Sequence, residues 1–548
     1  MGRGQELNET REETTMTEPH TPKPFRRPFR RPFRRRTLGL MVAASCALSV
    51  LPNLALAQGR KPPLTMAIGI EPLTLDAGRV SGGADYMFFG NVFEGIYSHD
   101  IDGKLVPGLA EKATVSADGL TYDVTLRANA KFHNGDPVTA EDIRFSWERG
   151  VDPKIRNPRA NVILNNITDV EIVDPLHVKI KLKKPDASFL DNSDQYWYIV
   201  PKTYIAQVGD EEFARKPVGT GPFKFVEFKV RSHLKLEGFE QHWGRVPAVS
   251  EVTMKIVPEE QTRLAQLQTG EVDIAAGITP VIAPTLKRLA SVKIASVPTF
   301  ENIAIGINAA YSSNPDLKKP EVRQALNLAV DREALLKTVM LGYATLSGPP
   351  CAQGVEGCTK GNVPGPYAYD PKKAREMLKA ANFDFSKPLR YVALAPGRAP
   401  QSKEIGEAVA GMLSKVGIKS EMSVLDYGAW LAMYGAKVKD PNVDLFFSTL
   451  TDYNPDPSGR ITRLFRTGGV FSWFNDPAID EKLDRINNFV SVDERRAFLN
   501  GLWTDLHTQA PQIILWSTTT IYGMSKKIDW EPSHNVSWPL LWNVKKTV

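Results

Sequence analysis

Motifs of the common catalytic sites are missing from this chain of 548 residues. Its eight histidines include no H-x-x-x-H pair, and it has neither a G-x-S-x-G elbow nor a G-x-x-x-x-G-K-[ST] phosphate loop. Gly219-Thr220-Gly221 lacks a third glycine and precedes a proline, a combination typical of a turn. The sequence therefore predicts a binding protein that is not an enzyme and that has no cofactor and no metal site.

Cysteine is scarce, with three residues in the whole chain. Cys46 lies in an apolar run, and Ala43 stands where a lipid-anchoring motif needs a bulkier side chain. Cys351 and Cys358 flank a glycine-rich loop without histidine, so two further zinc ligands are lacking there. In an exported protein we expect this pair to form a disulfide, which would stabilise the fold by about 2–3 kcal/mol.

A second long apolar run is also missing after the one near the N-terminus. That first run, Leu38 to Leu56, follows a basic segment and ends at Ala55-Leu56-Ala57, the pattern of an export signal over residues 1–57 cleaved after Ala57. The alternative is a permanent membrane anchor, although Pro52-Asn53 interrupts the run. We expect a periplasmic protein.

The export route and the start of translation stay open. Arg35-Arg36-Thr37-Leu38 loosely resembles the twin-arginine pattern without its full flank. Met16 is an alternative start, because the residues before it add nothing that a signal peptide needs.

Acidic and basic residues are nearly balanced once the leader is set aside. The whole chain has 68 Lys and Arg against 62 Asp and Glu, a formal net charge of +6. Residues 1–57 hold ten of the basic and five of the acidic residues, which leaves 58 against 57, or +1, for the remainder. So small an excess gives no electrostatic basis for binding nucleic acid.

Periodicity divides the rest of the chain into regions of different character. Residues 96–218 contain alternating strands at Tyr122 to Leu126 and Leu176 to Leu182, and Thr139 to Asp142 has the form of a capping box. Beyond Phe300, helices that start at Asp or Pro alternate with apolar strands, as in an α/β protein. A chain of this length exceeds what one hydrophobic core usually serves. We therefore expect two lobes, with the chain crossing between them several times.

The stretch Asp444 to Arg460 indicates where a ligand would bind. An apolar strand, Leu445 to Leu450, ends in a turn cluster led by Asp452, which would place a carboxylate at the mouth of a buried strand. The alternative is that Asp452 and Asp456 only stabilise a surface turn.

Many segments resemble the extracytoplasmic solute-binding proteins of ABC importers, in the family that binds peptides, dipeptides and nickel complexes. The matching segments are E-P-L-T-L-D at 71–76, N-V-F-E-G-I-Y at 91–97, L-V-P-G-L-A at 105–110, D-G-L-T-Y-D-V-T-L-R at 118–127, K-F-H-N-G-D-P-V-T-A-E-D-I-R-F-S-W-E-R at 131–149, G-T-G-P-F at 219–223, L-Q-T-G-E-V-D at 267–273, V-R-Q-A-L-N-L-A-V-D-R at 322–332 and D-Y-N-P-D-P at 452–457.

The resemblance implies an α/β, two-lobe periplasmic-binding-protein clamshell of type II, in the large class with an extra strand-rich subdomain. The implied regions are a signal peptide at 1–57, lobe I at 58–95, 219–300 and 515–548, an insert subdomain of lobe I at 96–218, and lobe II at 301–514.

The resemblance also implies ligand contacts. Asp452 matches an aspartate that holds the α-amino group of a peptide, and Arg398 is similar to an arginine that takes the carboxylate of a dipeptide. The alternative for Arg398 is an exposed loop arginine. Aromatic residues would form the walls of the site, although each of them could equally belong to a core: Trp430, Phe447, Tyr453, Trp197, Tyr86 and Phe300.

The resulting hypothesis is an exported, monomeric substrate-binding component that delivers a short peptide or a related amine and carboxylate solute to the importer's permease subunits. A carrier of nickel or other metal chelates is the alternative within the family. From another class, a periplasmic hydrolase or a folding helper would use the same cleft.

Overall fold

The computed structural model describes residues 61–79, 83–157, 160, 163–395, 401–451, 455–533 and 539–547. Its strands are β1 Leu64–Ile68, β2 Tyr97–His99, β3 Leu105–Pro107, β4 Ala110–Val115, β5 Thr121–Leu126, β6 Ile167–Asp174, β7 His177–Leu182, β8 Phe223–Lys229, β9 His233–Gly238, β10 Glu251–Ile256, β11 Ile274–Ala276, β12 Val292–Ile307, β13 Ala344–Leu346, β14 Leu389–Leu394, β15 Ser420–Leu425, β16 Leu445–Thr451, β17 Gln512–Ser525, β18 Ile528–Asp529 and β19 Lys545–Lys546.

The helices fill the connections between these strands. They are α1 Gly83–Val92, α2 Ala140–Val151, α3 Phe189–Tyr196, α4 Lys202–Val208, α5 Asp210–Arg215, α6 Glu260–Thr269, α7 Ala283–Lys287, α8 Pro320–Leu328, α9 Arg332–Thr338, α10 Pro371–Ala380, α11 Ser402–Lys415, α12 Tyr427–Tyr434, α13 Ser458–Phe465, α14 Pro477–Arg485 and α15 Val492–Gln509.

One large mixed sheet runs through the molecule in the order β15-β14-β16-β12-β17-β11-β1-β10-β9-β8, and β13 pairs with β17 off this path. We call the part from β11 to β8 the first half and the part from β16 to β15 the second half. Parallel pairs join β1 to β10 and β14 to β15, and helix α11 makes the crossover between β14 and β15. The sheet therefore confirms the predicted α/β character.

Two long strands, β12 and β17, belong to both halves. In the first half Val292 to Pro298 of β12 pairs with β17, and in the second half Asn302 to Gly306 continues the same antiparallel ladder. The register shifts between Pro298 and Asn302. Proline donates no N–H to a ladder, so the chain is less tightly paired at the point where it passes from one half to the other.

Each half has its own hydrophobic core. One core is built from residues between Phe300 and Trp516, and another combines residues between Leu64 and Val297 with residues between Tyr522 and Val544. The predicted lobe boundaries at 300/301 and 514/515 stay predictions, and Phe300, Leu515 and Trp516, which they assign to lobe I, pack in the core of the second half.

A separate antiparallel sheet, in the order β4-β5-β7-β6, lies within the predicted insert. Its core contains residues from Ile96 to Ile199, whereas Tyr198, Ile205 and Phe213 pack against the core of the first half. We call residues 96–199 the insert. Side chains alternate between buried and less buried along β5 and β7, as predicted from the period-two pattern.

Several helix starts confirm the sequence signals. Thr139 and Asp142 form the predicted capping box of α2, and the side chain of Asp476 accepts from the first turn of α14. Helix α15 starts differently from the Asp or Pro pattern, because Ser491 caps it. Asp493 instead lies in the first turn, where a negative charge interacts favourably with the helix dipole.

The G-T-G segment packs closely and holds no phosphate loop. A Cβ added to Gly219 would lie 2.0 Å from the carbonyl oxygen of Val92, at the end of α1. Gly221 donates its backbone N–H to that same oxygen over 2.9 Å. The glycines are therefore explained by close approach of two backbones.

The two ends of the described chain meet at the edge of the first half. The ammonium of Lys546 donates to the carbonyl oxygen of Pro63 over 3.0 Å and to Asp273 over 2.8 Å. Among the helices in the described ranges, none combines the length and the apolar character needed to cross a bilayer.

Candidate functional site

A cleft of about 1380 Å³ separates the insert from the second half. Residues 103–105 and Asp191 of the insert line one side, and the end of β13 with the long loop after it, residues 345–366, lines most of the other. Pro455, Asp456, Val492, Arg496 and Ser517 complete the lining. The cleft exceeds the roughly 300–1,000 Å³ of typical small-ligand pockets, so it has room for a short peptide together with water.

Strand β16 ends at this cleft. It pairs with β12 on one side and with β14 on the other, which makes it a central strand of the second half. Pro455 and Asp456, which follow it, line the cleft. The predicted ligand residues Asp452 and Tyr453 lie between the strand and these two residues but outside the described residues, as does Arg398.

The five described aromatic candidates lie in hydrophobic cores and are not among the residues that line the cleft. Trp430, Phe447 and Phe300 belong to the core of the second half, and the indole N–H of Trp430 donates to the carbonyl oxygen of Phe447 over 3.0 Å. Tyr86 is in the core of the first half and Trp197 in that of the insert. Their contribution to ligand walls stays a prediction.

The predicted cysteine pair forms a disulfide that is part of the cleft wall. Cys351 and Cys358 are bonded with an S–S distance of 2.02 Å, and both line the cleft. The loop that they close packs on α15, where the indole of Trp503 donates to the carbonyl oxygen of Glu356 over 3.2 Å. Gly357 has φ +72°, and an added Cβ would lie 2.5 Å from the Cβ of Leu499. Glycine is therefore required at this contact.

Arg460 connects the same loop with the crossing strands. Its fully buried guanidinium donates to Pro350 O over 2.8 Å and to the side-chain oxygen of Asn302 over 3.0 Å. The amide of Asn302 in turn donates to Ser517 Oγ over 3.3 Å. The cleft wall and the place where β12 changes register are thus in direct hydrogen-bonded contact.

An ionic cluster lies behind the cleft wall. The guanidinium of Arg495, fully buried on α15, contacts Glu356 through Nη1 and donates to Asp456 Oδ1 over 2.5 Å through Nη2. Its Nε donates to the carbonyl oxygen of Ile486 over 2.9 Å. Ser458, the first residue of α13, donates its hydroxyl to Asp456 Oδ2 over 2.7 Å. Arg495 therefore joins α15, the disulfide loop and the segment after β16.

The cluster continues into the insert through one hydrogen bond. The side-chain amide of Asn192, on α3, donates to Asp456 Oδ2 over 2.8 Å and to Ser188 Oγ over 3.0 Å. Ser188 donates to Asp186 Oδ1 over 2.6 Å. All of these side chains are buried. A continuous chain of polar contacts thus runs from Asp186 to Glu356 across the boundary between the insert and the second half.

The carboxyl pKa values of this cluster shift in opposite directions, because burial raises all of them and only Asp456 has partners that outweigh it. Burial raises the pKa of Glu356 to about 7, since Arg495 offsets only part of the desolvation and Asp456 adds repulsion. Burial with the nearby Asp456 charge also raises the pKa of Asp186 to about 6. For Asp456, burial is outweighed by Arg495, Asn192 and Ser458, which together lower its pKa. Asp456 is therefore the carboxylate that keeps its negative charge.

Sequence reasoning did not find Arg495, Glu356 or Asn192. Arg495 stands in the run D-E-R-R, which looks like the solvent-facing side of a helix, and Glu356 stands in a glycine-rich loop. Asp456 was considered only as a turn residue. The two prolines that flank Asp456, Pro455 and Pro457, are the one signal that points to a constrained carboxylate. In the described ranges, no three His, Cys, Asp or Glu side chains are grouped as a metal site would need.

The fold has counterparts among known proteins. The substrate-binding protein CtaP of an ABC transporter from Listeria monocytogenes superposes with a TM-score of 0.80 at 22% identity, over 89% of this chain and 100% of that one. NikZ from Campylobacter jejuni, in complex with Ni(L-His), gives 0.73 at 25% identity over 89% and 100%. The fold is accordingly the two-lobe periplasmic-binding-protein type.

Sequence comparison identifies the family. The chain is 28% identical over 475 residues to the glutathione-binding protein GsiB of Pectobacterium atrosepticum, covering 84% of this chain and 90% of that protein. The family model described as bacterial extracellular solute-binding proteins, family 5 Middle, matches residues 104–472. This protein belongs to the family 5 extracellular solute-binding proteins, which serve ABC importers, and the predicted family and fold class are confirmed.

Proposed function

We propose that the protein captures a short peptide or a related solute with an amine and a carboxylate, glutathione among the first candidates, and delivers it unaltered to an ABC permease. The observation that carries the proposal is a roomy cleft at the end of central strand β16, the strand that the predicted anchor Asp452 follows in the sequence. The glutathione-binding relative supports the solute class, because glutathione is a tripeptide with one amine and two carboxylates.

The proposed contacts follow from the charges of such a solute. An ammonium enclosed away from water needs a charged or hydrogen-bonding partner, because an unmatched buried charge costs several kcal/mol. Asp452 would meet the amine, and Arg398 would hold a carboxylate through its two-pronged guanidinium. The buried Asp456 and Arg495 neutralise each other next to this site, so the solute's charges need not be matched by them.

Calorimetry on the purified protein with glutathione, a set of di- and tripeptides, and Ni(L-His) tests the proposal. We expect Asp452→Asn to weaken binding of any α-amine solute by at least about 2 kcal/mol, since it removes a charge-assisted partner. Asp440→Asn is a matched control, because Asp440 is exposed and precedes the opposite end of β16. Unchanged affinity in the Asp452 variant would show that the anchor is assigned to the wrong residue.

The same experiment separates the alternatives. Binding of Ni(L-His) without peptide binding would favour the metal-chelate carrier, which the Campylobacter relative brings into consideration. Mass spectrometry of the peptides after incubation distinguishes carriage from hydrolysis, since a carrier returns each peptide intact. Saturable binding of unfolded proteins, in place of small solutes, would favour a folding helper.

A further inference from the structure

We propose that the hydrogen bond from Asn192 to Asp456 is a closure latch, which holds the insert against the second half and raises solute affinity without touching the solute. The inference rests on the proposed capture of a solute in the cleft. It assigns a positioning role to two buried side chains on opposite sides of that cleft, 264 residues apart in sequence.

The acceptor, Asp456, is held in place by partners within the second half. Asp456 receives Arg495 on Oδ1 over 2.5 Å and Ser458 on Oδ2 over 2.7 Å, and both of these partners belong to the second half. Its side chain is only 2% exposed. A carboxylate oriented by two partners of its own half loses little further freedom when a third donor arrives.

The donor is fixed in the same way on its own side. Asn192 lies on α3, and its amide is held by Ser188, whose hydroxyl is in turn held by Asp186. Both amide N–H groups are therefore committed, one within the insert and one across the boundary. Since each side is preorganised by itself, the contact between them can form or break as a unit.

The latch lies where it would respond to closure. Asp456 lines the cleft and follows the predicted anchor Asp452 by four residues, while Asp191, the neighbour of Asn192, lines the opposite side. The insert and the second half also touch at Gly119 of the insert, where an added Cβ would lie 2.7 Å from Cγ2 of Val490. Opening the cleft by separating the insert from the second half would break the Asn192 bond and expose Asp456 to water.

The consequence for affinity follows from linked equilibria. A contact made only in the closed form increases the fraction of closed molecules, and the apparent dissociation constant falls in proportion when the solute binds that form. Replacing Asn192 with aspartate would set two carboxylates against each other and favour the open form. Replacing it with alanine would remove the bond to Asp456, together with the bond to Ser188 within the insert, without adding a charge.

The test measures closure and affinity separately. Spin labels at K112C on β4 and K372C on α10, both exposed, report the distance between insert and second half without solute. Calorimetry with glutathione and a dipeptide reports affinity. We expect Asn192→Asp to shift the distances toward the open form and to raise the dissociation constant 10-fold or more, and Asn192→Ala to raise it several-fold.

The control is Asn166→Ala, which removes the bond from an insert asparagine to Lys184 O and leaves the boundary untouched. Circular dichroism and the ligand-free melting temperature check that each variant is folded. Distances and affinities that match the wild type in both Asn192 variants would overturn the latch, as would a shift in distance without a loss of affinity. If the wild type binds none of the solutes, the solute assignment fails, and the distance measurement still decides whether the latch exists.

Discussion

Arg495 shows how a single buried charge can organise a site that it does not enter. Its guanidinium makes contact with two carboxylates and a backbone carbonyl, and its side chain has no exposed surface. Removing such a residue would leave Asp456 buried without its main partner, which costs several kcal/mol in other proteins. The residue therefore acts through the carboxylates that it orients.

Glu356 differs from Asp456 because Asp456 accepts from Asn192 and Ser458 as well as from Arg495, whereas desolvation outweighs the Arg495 charge at Glu356 and raises its pKa from 4.5 to about 7. An acid whose pKa is higher in the folded state stabilises the fold below its unfolded pKa, and that contribution is lost as the pH rises from about 4.5 through 7. Glutamine cannot ionise, so the unfolding free energy of Glu356→Gln should increase relative to that of the wild type over this pH interval.

We therefore predict that the unfolding free energy of Glu356→Gln, relative to the wild type, increases by on the order of 1–3 kcal/mol between pH 5 and pH 8. Urea unfolding at both pH values measures it. Glu271→Gln serves as the control, because Glu271 is half exposed and pairs with Lys255 at the surface, where ion pairs contribute little. A relative stability that does not change with pH would show that Glu356 is not penalised when it ionises.

At the scale of single elements, capping residues and alternation allowed much of the structure to be predicted. Asp331, Asp370 and Asp476 each cap the helix that the sequence placed after them, since a short acidic side chain reaches the free N–H groups of a first turn. Strands β5 and β7 of the insert could be predicted because apolar residues alternate along them with a period of two. These signals are local, and local patterns are what a single sequence contains.

Pairing between distant segments could not be predicted in the same way. Strand β12 has 16 residues and passes through both halves, whereas the sequence suggested a boundary at Phe300. The partners Asn192 and Asp456 are brought together by the tertiary fold alone, and neither has a neighbour that identifies the other. For the same reason, the buried position of Arg495 is invisible in its charged surroundings.

The disulfide loop is the element whose loss should affect both stability and binding. Closing a loop with a sequence separation of seven restricts the unfolded chain, so we expect the double variant C351S/C358S to lose about 2–3 kcal/mol in unfolding free energy. Because the loop is part of one cleft wall, affinity for a bound solute should fall as well.

Urea unfolding and calorimetry of the double variant measure these two effects. Wild-type protein treated with a reductant and with thiol-blocking reagent is the matched comparison, since it opens the same bond without changing the sequence. A fall in stability with full affinity would mean that the cleft wall keeps its shape without the bond. Equal stability would contradict the expected restriction of the unfolded chain.

The whole molecule is arranged so that its halves are joined by hydrogen-bonded strands. Two antiparallel strands cross together, and their register changes between Pro298 and Asn302, next to contacts that lead through Arg460 to the cleft wall. Two strands that are paired in this way favour a hinge motion of the halves about one axis over free rotation. Relative motion of the halves is therefore expected to open and close the cleft along a single path.

Export is the remaining prediction for the molecule as a whole. We expect the protein recovered from the periplasm to begin at Gln58, because the residues before it have the parts of a cleavable signal. Intact mass spectrometry of the periplasmic fraction measures this, with the cytoplasmic precursor as the control. A retained segment before Ala57, or a lipid on Cys46, would point instead to a membrane-anchored form.

The hydrogen bond from Lys546 to the carbonyl oxygen of Pro63 has a practical consequence. A dye, an affinity handle or a surface tether added after Thr547 would travel with the first half and would leave the insert and the second half unencumbered. The protein could thus be immobilised on a sensor chip through a point that belongs to the first half.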